Sequence, residues 1–137
     1  MSRNIKFRWF HLTVVALLVV VSSSVISSSG ELENAQEAVR QNPNDAKAHY
    51  NLGNAYVRSG QHQDAIASFK ESIRINPNLA EVHYNLGLSF GQTNNGFGAI
   101  THTIIAVKLF ERQNNSQLSA FAKSNLRNWF KVFQKYR

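Results

Sequence analysis

Cysteine is absent from the 137 residues, which removes disulfide scaffolds, cysteine nucleophiles and thiolate-bound zinc or iron–sulfur centres together. One methionine and two prolines leave neither a methionine-rich groove nor a proline-rich linker. Aspartate is nearly as scarce, with only Asp45 and Asp64 to offer an acidic metal cluster. What the chain has instead is base. Fifteen Lys and Arg stand against eight Asp and Glu, a formal net charge of +7, and the 43% of hydrophobic residues are unevenly spread. The length accommodates one domain, or a shorter domain with a targeting segment.

The amino terminus carries Arg3, Lys6 and Arg8 with no acid among them. From Trp9 to Gly30 there is no Asp, Glu, Lys or Arg, and the centre of that stretch is the apolar run from Leu12 to Val21. Serines 22–24 and 27–29 follow it. A basic start, a short apolar run and a small-residue tail make the layout of a secretory signal peptide. Ser22 with Ser24, or Ser28 with Gly30, supply the short side chains that a signal peptidase admits. The same charge-free stretch is about 33 Å long as a helix, enough to cross a bilayer. Residues 1–30 are therefore expected to be either a cleaved signal or a membrane anchor formed by residues 9–29. In both cases the basic end stays cytoplasmic, and residues 31–137 are exported to the periplasm or another extracytoplasmic space.

Beyond residue 30 the chain repeats itself. Asn42-Pro43-Asn44 returns as Asn76-Pro77-Asn78, His49-Tyr50-Asn51-Leu52-Gly53 as His83-Tyr84-Asn85-Leu86-Gly87, and Ala65-Ile66 as Ala99-Ile100, all at one common spacing. Three markers sharing one spacing define an internal repeat. Leu52, Tyr56, Ile66 and Phe69 recur at helical spacing and give each helix one apolar stripe. Pro43 and Pro77 cannot continue a preceding helix, so each marks a turn. Gly60 suits a left-handed cap after helix 46–58. Gly53 and Gly87 leave room for close approach of a second helix.

The step from Asn42 to Asn76, with these markers, resembles the period of the tetratricopeptide repeat family, whose unit is a helix–turn–helix stacked into a solenoid. His49, Leu52, Gly53 and Tyr56 match the first helix of its pattern, as do His83, Leu86, Gly87 and Phe90. Ala65, Phe69 and Ser72 match the second helix and Pro77 closes that unit. In the next one Ala99 and Ala106 match, while Thr103 replaces the aromatic and Glu111 the proline. Residues 31–41 match the second helix of a preceding unit whose first helix is missing or replaced by the hydrophobic segment. Ser124 to Phe130 lines up with Tyr50 to Tyr56, but the step from Asn85 to Asn125 exceeds the repeat period by about six residues, inserted around Gln113–Leu118. Arg127 takes the glycine place, and the segment reads as a cap with a wet outer face.

The expected architecture is an all-α helix–turn–helix solenoid, with residues 31–137 as one tetratricopeptide domain. It holds full repeats at 46–79 and 80–113 and partial ones at 31–45 and 117–137. Its helices are expected at 31–41, 46–58, 62–75, 80–93, 97–111 and 117–135, with Asn94 to Gly98 offering only loose turn chemistry for the fifth. Six helices barely reach the three units that such arrays need, so self-association is a further expectation.

The resemblance implies that a peptide or helix binds in the concave groove lined by the first helices. The groove-facing positions are then Lys47, Tyr50, Asn51, Asn54 and Arg58, followed by Glu81, Tyr84, Asn85, Leu88 and Gln92. Asn51, Asn85 and Asn125 hold one equivalent place in three successive helices. That resembles the asparagine ladder of the O-linked N-acetylglucosamine transferase repeats, where amides grip a peptide backbone. In ordinary repeats the same asparagines bond neighbouring helices, and both readings stand. A carboxylate clamp is disfavoured, because Tyr50 stands where its first lysine belongs and Ser124 and Asn125 carry no charge.

Other chemistry finds little support in the sequence. No histidine pair has the i, i+4 spacing of a metal-binding helix, so no metal or cofactor is expected. No nucleophile turn, phosphate loop or paired carboxylates occur, and the chain reads as non-catalytic. The +7 divides into three charges at the amino terminus, six bases from Arg112 onward, and a middle, residues 31–111, of six bases and eight acids. Lys123, Arg127, Lys131 and Lys135 step by four and form a basic stripe. The leading expectation is a protein-interaction adaptor or scaffold outside the cytoplasm. The alternative is a membrane-surface structural protein whose basic helix docks on anionic lipid or an acidic partner. Nucleic acid conflicts with export and is not expected as a partner.

Overall fold

Caps mark several of the helix ends in this chain. In the computed structural model, which describes residues 30–134, α1 occupies 30–41, α2 Ala46–Arg58, α3 His62–Ile75, α4 Ala80–Gln92, α5 Gly96–Arg112 and α6 Ser116–Gln134. The signal or anchor expected at the amino terminus falls on residues 1–29, which lie outside the described residues, as does Lys135 of the basic stripe. Among the described residues there is no strand, and no helix is long and apolar enough to cross a membrane.

Asp45 opens α2 by accepting the Lys47 N–H at 2.9 Å. Gly60, at φ 73°, closes it: its N–H reaches Val57 O at 3.0 Å while Gln61 N–H reaches Tyr56 O at 2.9 Å. The same left-handed closure returns one repeat later at Asn94 (φ 58°), with Asn94 N–H to Gly91 O at 3.2 Å and Asn95 N–H to Phe90 O at 2.8 Å. Asn95 then turns from ending one helix to starting the next, its side-chain oxygen accepting the Gly98 N–H at 2.9 Å. The stretch that looked loose in sequence is thus a cap followed directly by a cap, and α5 runs 17 residues from it. Asn114 (φ 56°) and Asn115 repeat the device between α5 and α6, Asn115 accepting the Leu118 N–H at 3.1 Å.

The residues inserted around Gln113–Leu118 are taken up by the helices on either side. α5 is longer than α3, 17 residues against 14, and α6 begins at Ser116, further ahead of Asn125 than Ala80 of α4 is ahead of Asn85. Glu111 stands where a proline would have stopped the helix, and nothing from Gln113 to Leu118 is Gly or Pro. Helix extension therefore satisfies the added backbone groups more cheaply than a loop would.

Consecutive helices pack as hairpins around two apolar clusters. Ile66, Phe69, Val82 and Leu86 belong to the first, and Ala80, Ala106, Leu109, Phe110 and Ala122 to the second. Gly53 makes the close approach that the sequence suggests, since a Cβ there would overlap the Phe69 ring. At Gly87 the added atom would lie 2.7 Å from Thr103 Oγ1 and 3.1 Å from Ala99 O. Each glycine thus sets the distance between the two helices of its own hairpin.

Candidate functional site

α2, α4 and α6 are the first helices of successive units, and their facing residues meet across one surface. Asn85 Nδ2 donates to Asn54 Oδ1 at 2.9 Å and to Tyr50 OH at 3.5 Å, both on the preceding first helix. Asn125 Nδ2 donates in the same way to Tyr84 OH. Burial raises the Tyr84 phenol pKa, and the Asn125 bond opposes that rise. Both amides are thereby engaged in joining neighbouring helices. Asn51 is exposed and makes no side-chain hydrogen bond among the described residues.

Four of the sequence-derived groove residues converge. Asn54, Asn85, Leu88 and Gln92 line a depression of about 210 Å³, together with Val57, His62 and Ser89. Leu88 and Val57 give its lining an apolar part beside the amides of Asn54, Asn85 and Gln92. Tyr50 and Tyr84 lie alongside as partners of the two asparagines, whereas Lys47 and Glu81 are exposed and do not line it. Arg58 is exposed but tied to Glu31 of α1 at 2.7 Å. His62 was not foreseen, because it belongs to a second helix. The Gly60 cap folds the chain back and brings α3's first turn to the rim, where His62 Nδ1 is buried without a hydrogen-bond partner. Phe121 also extends this surface, packing on Tyr84 at 5.9 Å between ring centroids while 57% exposed. Its place in α6 matches Lys47 and Glu81, so carrying the longer step from Asn85 to Asn125 through every position would have found it.

The histidines serve structure in a repeated way. His49 Nε2 donates to Pro43 O at 2.9 Å, and His83 Nε2 to Pro77 O at 3.2 Å, each fastening a first helix to the turn before it. In α6 the same place is held by an ion pair, Lys123 to Glu111 at 2.6 Å. The first member of the basic stripe is therefore neutralised, while Arg127 and Lys131 are exposed and form no ion pair among the described residues. His83 has a second contact that sequence spacing did not reveal. Its Nε2 carries the hydrogen given to Pro77, so its Nδ1 accepts from His102 Nδ1–H, 3.1 Å away. Burial depresses both pKa values, that of His102 to about 4, with the neighbouring His83 and Lys70 adding to its shift. No group of three or more metal-ligating side chains occurs among the described residues.

Two family descriptions match the chain: a TPR repeat over residues 53–94 and a tetratricopeptide repeat over residues 34–67. No curated protein matches the sequence. Solved structures do match the fold. The type III secretion translocator chaperone SycD of Yersinia enterocolitica superposes with a TM-score of 0.74 at 16% identity, covering 90% of this chain and 86% of that one. PcrH, solved in complex with the chaperone binding region of PopD, gives 0.74 at 17% identity, covering 96% of this chain and 98% of that one. The TPR2B domain of yeast Sti1, solved as a complex with pHsp70, gives 0.73 at 15% identity, covering 77% of this chain and 85% of that one. At these identities the likeness establishes the fold.

Proposed function

From the premise that the chain belongs to the tetratricopeptide repeat family, we propose that it is a non-catalytic adaptor that holds a segment of another protein. The segment lies across α2, α4 and α6. The observation that carries this reading is the depression lined by Asn54, Val57, Asn85, Leu88 and Gln92, which combines apolar side chains with amides. Such a site takes one apolar side chain of an extended peptide while the amides bond its backbone. Two of the similar folds were solved with such partners, a region of PopD on PcrH and pHsp70 on the Sti1 domain, which supports the same use here. The asparagines then serve both readings of the ladder. Asn85 and Asn125 brace the first helices, Asn85 through Asn54 Oδ1, and Asn51 and the Nδ2 of Asn54 are offered to the peptide.

The test is selection of binders from a displayed library of short random peptides, followed by Leu88→Lys. Leu88 is half-buried, so the variant keeps its helical signal and melting temperature. It should lose at least about tenfold in affinity for the selected peptides, equivalent to ~1.4 kcal/mol. Binding that persists unchanged places the partner elsewhere.

We also propose that this binding takes place outside the cytoplasm, on the strength of the charge-free segment from Trp9 to Gly30 behind three basic residues. Fractionation that finds the intact protein in the cytoplasm overturns the location and leaves the adaptor reading standing. The mass of the recovered amino terminus distinguishes a cleaved signal from an anchor.

A further inference from the structure

The described array begins with a second-type helix and finishes with a first-type helix. In each full repeat the second helix presents three positions to its own first helix, and all are sealed: Ala65, Phe69 and Ser72 are at 0% exposure, as are Ala99, Thr103 and Ala106. The equivalent positions of α1 are Glu31, Ala35 and Ala38, of which Glu31 and Ala38 are exposed and Ala35 is half-buried. No described element covers that face. Among the described residues, no second-type helix packs on α6 as its own partner either. The positions by which α2 and α4 receive their second helices, Ala46, Gly53 and Tyr56 or Ala80, Gly87 and Phe90, correspond in α6 to Ala120, Arg127 and Phe130. Phe130 is 43% exposed. Beside them a cavity of about 370 Å³ opens along Ser116, Ser119 and Lys123, and the Ser119 hydroxyl is buried there without a partner.

These two faces fit one another. Inside a repeat, glycine on the first helix admits a large residue of the second, as Gly53 admits Phe69. At the two ends the sizes are exchanged, Arg127 on the first-type helix against Ala35 on the second-type one. Phe90 lies over Gly98, whose equivalent in α1 is Gly30, and a Cβ at Gly30 would meet nothing within 4 Å, so the place for Phe130 is open. Charge agrees with size. Glu31, Glu37 and Lys123 are paired with Arg58, Arg40 and Glu111, which leaves Glu33 of α1 and Arg127 and Lys131 of α6 without an ion pair among the described residues.

We propose that copies of this chain associate head to tail, α6 of one packing on α1 of the next so that the two halves complete a repeat. The contact is heterologous, the same two unlike patches being used at each step, so it continues into a superhelical array unless it closes in a ring. Each added copy extends the groove surface without a break.

The experiment uses the full chain in mild detergent, with the protein mass followed by sedimentation across concentration. The unaltered chain should form species that grow with concentration. Ala35→Phe blocks the α1 face and Arg127→Glu the α6 face; each alone should be monomeric with unchanged helical signal and melting temperature. Mixed together, they retain one open face each and should give a 1:1 dimer that grows no further. The double variant Ala35→Phe with Arg127→Gly restores the glycine-over-aromatic pairing found within the repeats, and should recover association that either blocking variant loses by at least about tenfold. An unaltered chain that stays monomeric at every concentration overturns the proposal. So do blocked copies that associate as the unaltered chain does, and so does a mixture that remains monomeric. The last result would mean that the α1 face is occupied otherwise, for instance by residues 12–24 of the same chain.

Discussion

The repeats 46–79 and 80–113 share a backbone plan but fill it differently. In the first, the Phe69 ring lies beneath Gly53 and is fully buried, and Ser72 Oγ donates to Ala46 O at 2.7 Å across the hairpin. In the second, Thr103 lies beneath Gly87 and turns its hydroxyl to Ala99 O of its own helix at 2.7 Å, while Ala106 takes the serine's place. The missing aromatic is made up one position earlier. His102 stacks on Phe90 at 5.6 Å and on His83 at 5.4 Å, where the first repeat has only Ser68 bonded to Asp64 O. One unit is held by an apolar ring under a glycine, the other by a stack of three rings with a hydrogen bond inside it. A shared fold therefore leaves two different vulnerabilities.

The largest difference should appear on truncating the residue beneath each glycine. Phe69→Ala removes a fully buried ring and should cost ~3–5 kcal/mol, enough to unfold a large fraction of molecules. Thr103→Ala removes a hydroxyl bonded to its own helix and one methyl, and should cost ~1 kcal/mol. Urea titration of both variants measures the contrast. Equal losses would mean that the glycine contact is not what distinguishes the two interiors.

Acid should separate the repeats next. Folding depresses the His102 pKa to about 4 from an unfolded value near 6.5, and moves His83 in the same direction. Between those values the unfolded chain binds more protons, so this part of the stability is complete above about pH 6.5 and is lost as pH falls toward 4. A proton on His83 Nδ1 would face the His102 Nδ1–H, and a charge on either ring would add to that of Lys70, whose Nζ lies 5.5 Å from the Phe90 ring centroid. Allowing for partial exposure of the stack, the loss should be ~1–2 kcal/mol. His102→Ser copies the first repeat at that position. It should lower stability at pH 7.5 and flatten the dependence between pH 7 and 5, read from melting temperatures across the range. A dependence of unchanged slope would assign the acid sensitivity to other groups.

The second repeat also shows how far the sequence could be read. Its helices were legible because Leu86, Gly87 and Phe90 repeat Leu52, Gly53 and Tyr56 at a constant period, and period is a local signal. The turn at Asn94 was harder to read, since asparagine reaches the left-handed region through its own side chain and does not announce a cap as glycine does. The His83–His102 bond joins residues on different helices, and no pattern along the chain encodes it. Of the residues lining the depression, Asn54, Asn85, Leu88 and Gln92 hold places in the unit that the sequence singles out, whereas His62 and Val57 do not. One comes from the other helix type, and the other is an ordinary apolar residue until folding sets it beside Leu88.

The smallest expected effect tests whether the two interiors are interchangeable piece by piece. Ser72→Ala removes the hydroxyl bonded to Ala46 O, leaving a part-buried carbonyl with one partner fewer, and should cost ~1 kcal/mol. The reciprocal change, Ala106→Ser, places a hydroxyl at the position that corresponds to Ser72, within a pair of helices whose Ala80 carbonyl corresponds to that of Ala46. Ala80 and Ala106 are both fully buried, so the added oxygen has no water to turn to and must find that carbonyl or remain unpaired. If the second hairpin has the same spacing as the first, the bond forms and stability changes by less than ~0.5 kcal/mol. If Thr103 in place of phenylalanine has drawn the helices to a different spacing, the hydroxyl stays unsatisfied and the cost is ~1–3 kcal/mol. Denaturant midpoints of the two variants decide between these outcomes. The comparison then shows whether the repeats share only a plan or also the distance between their helices.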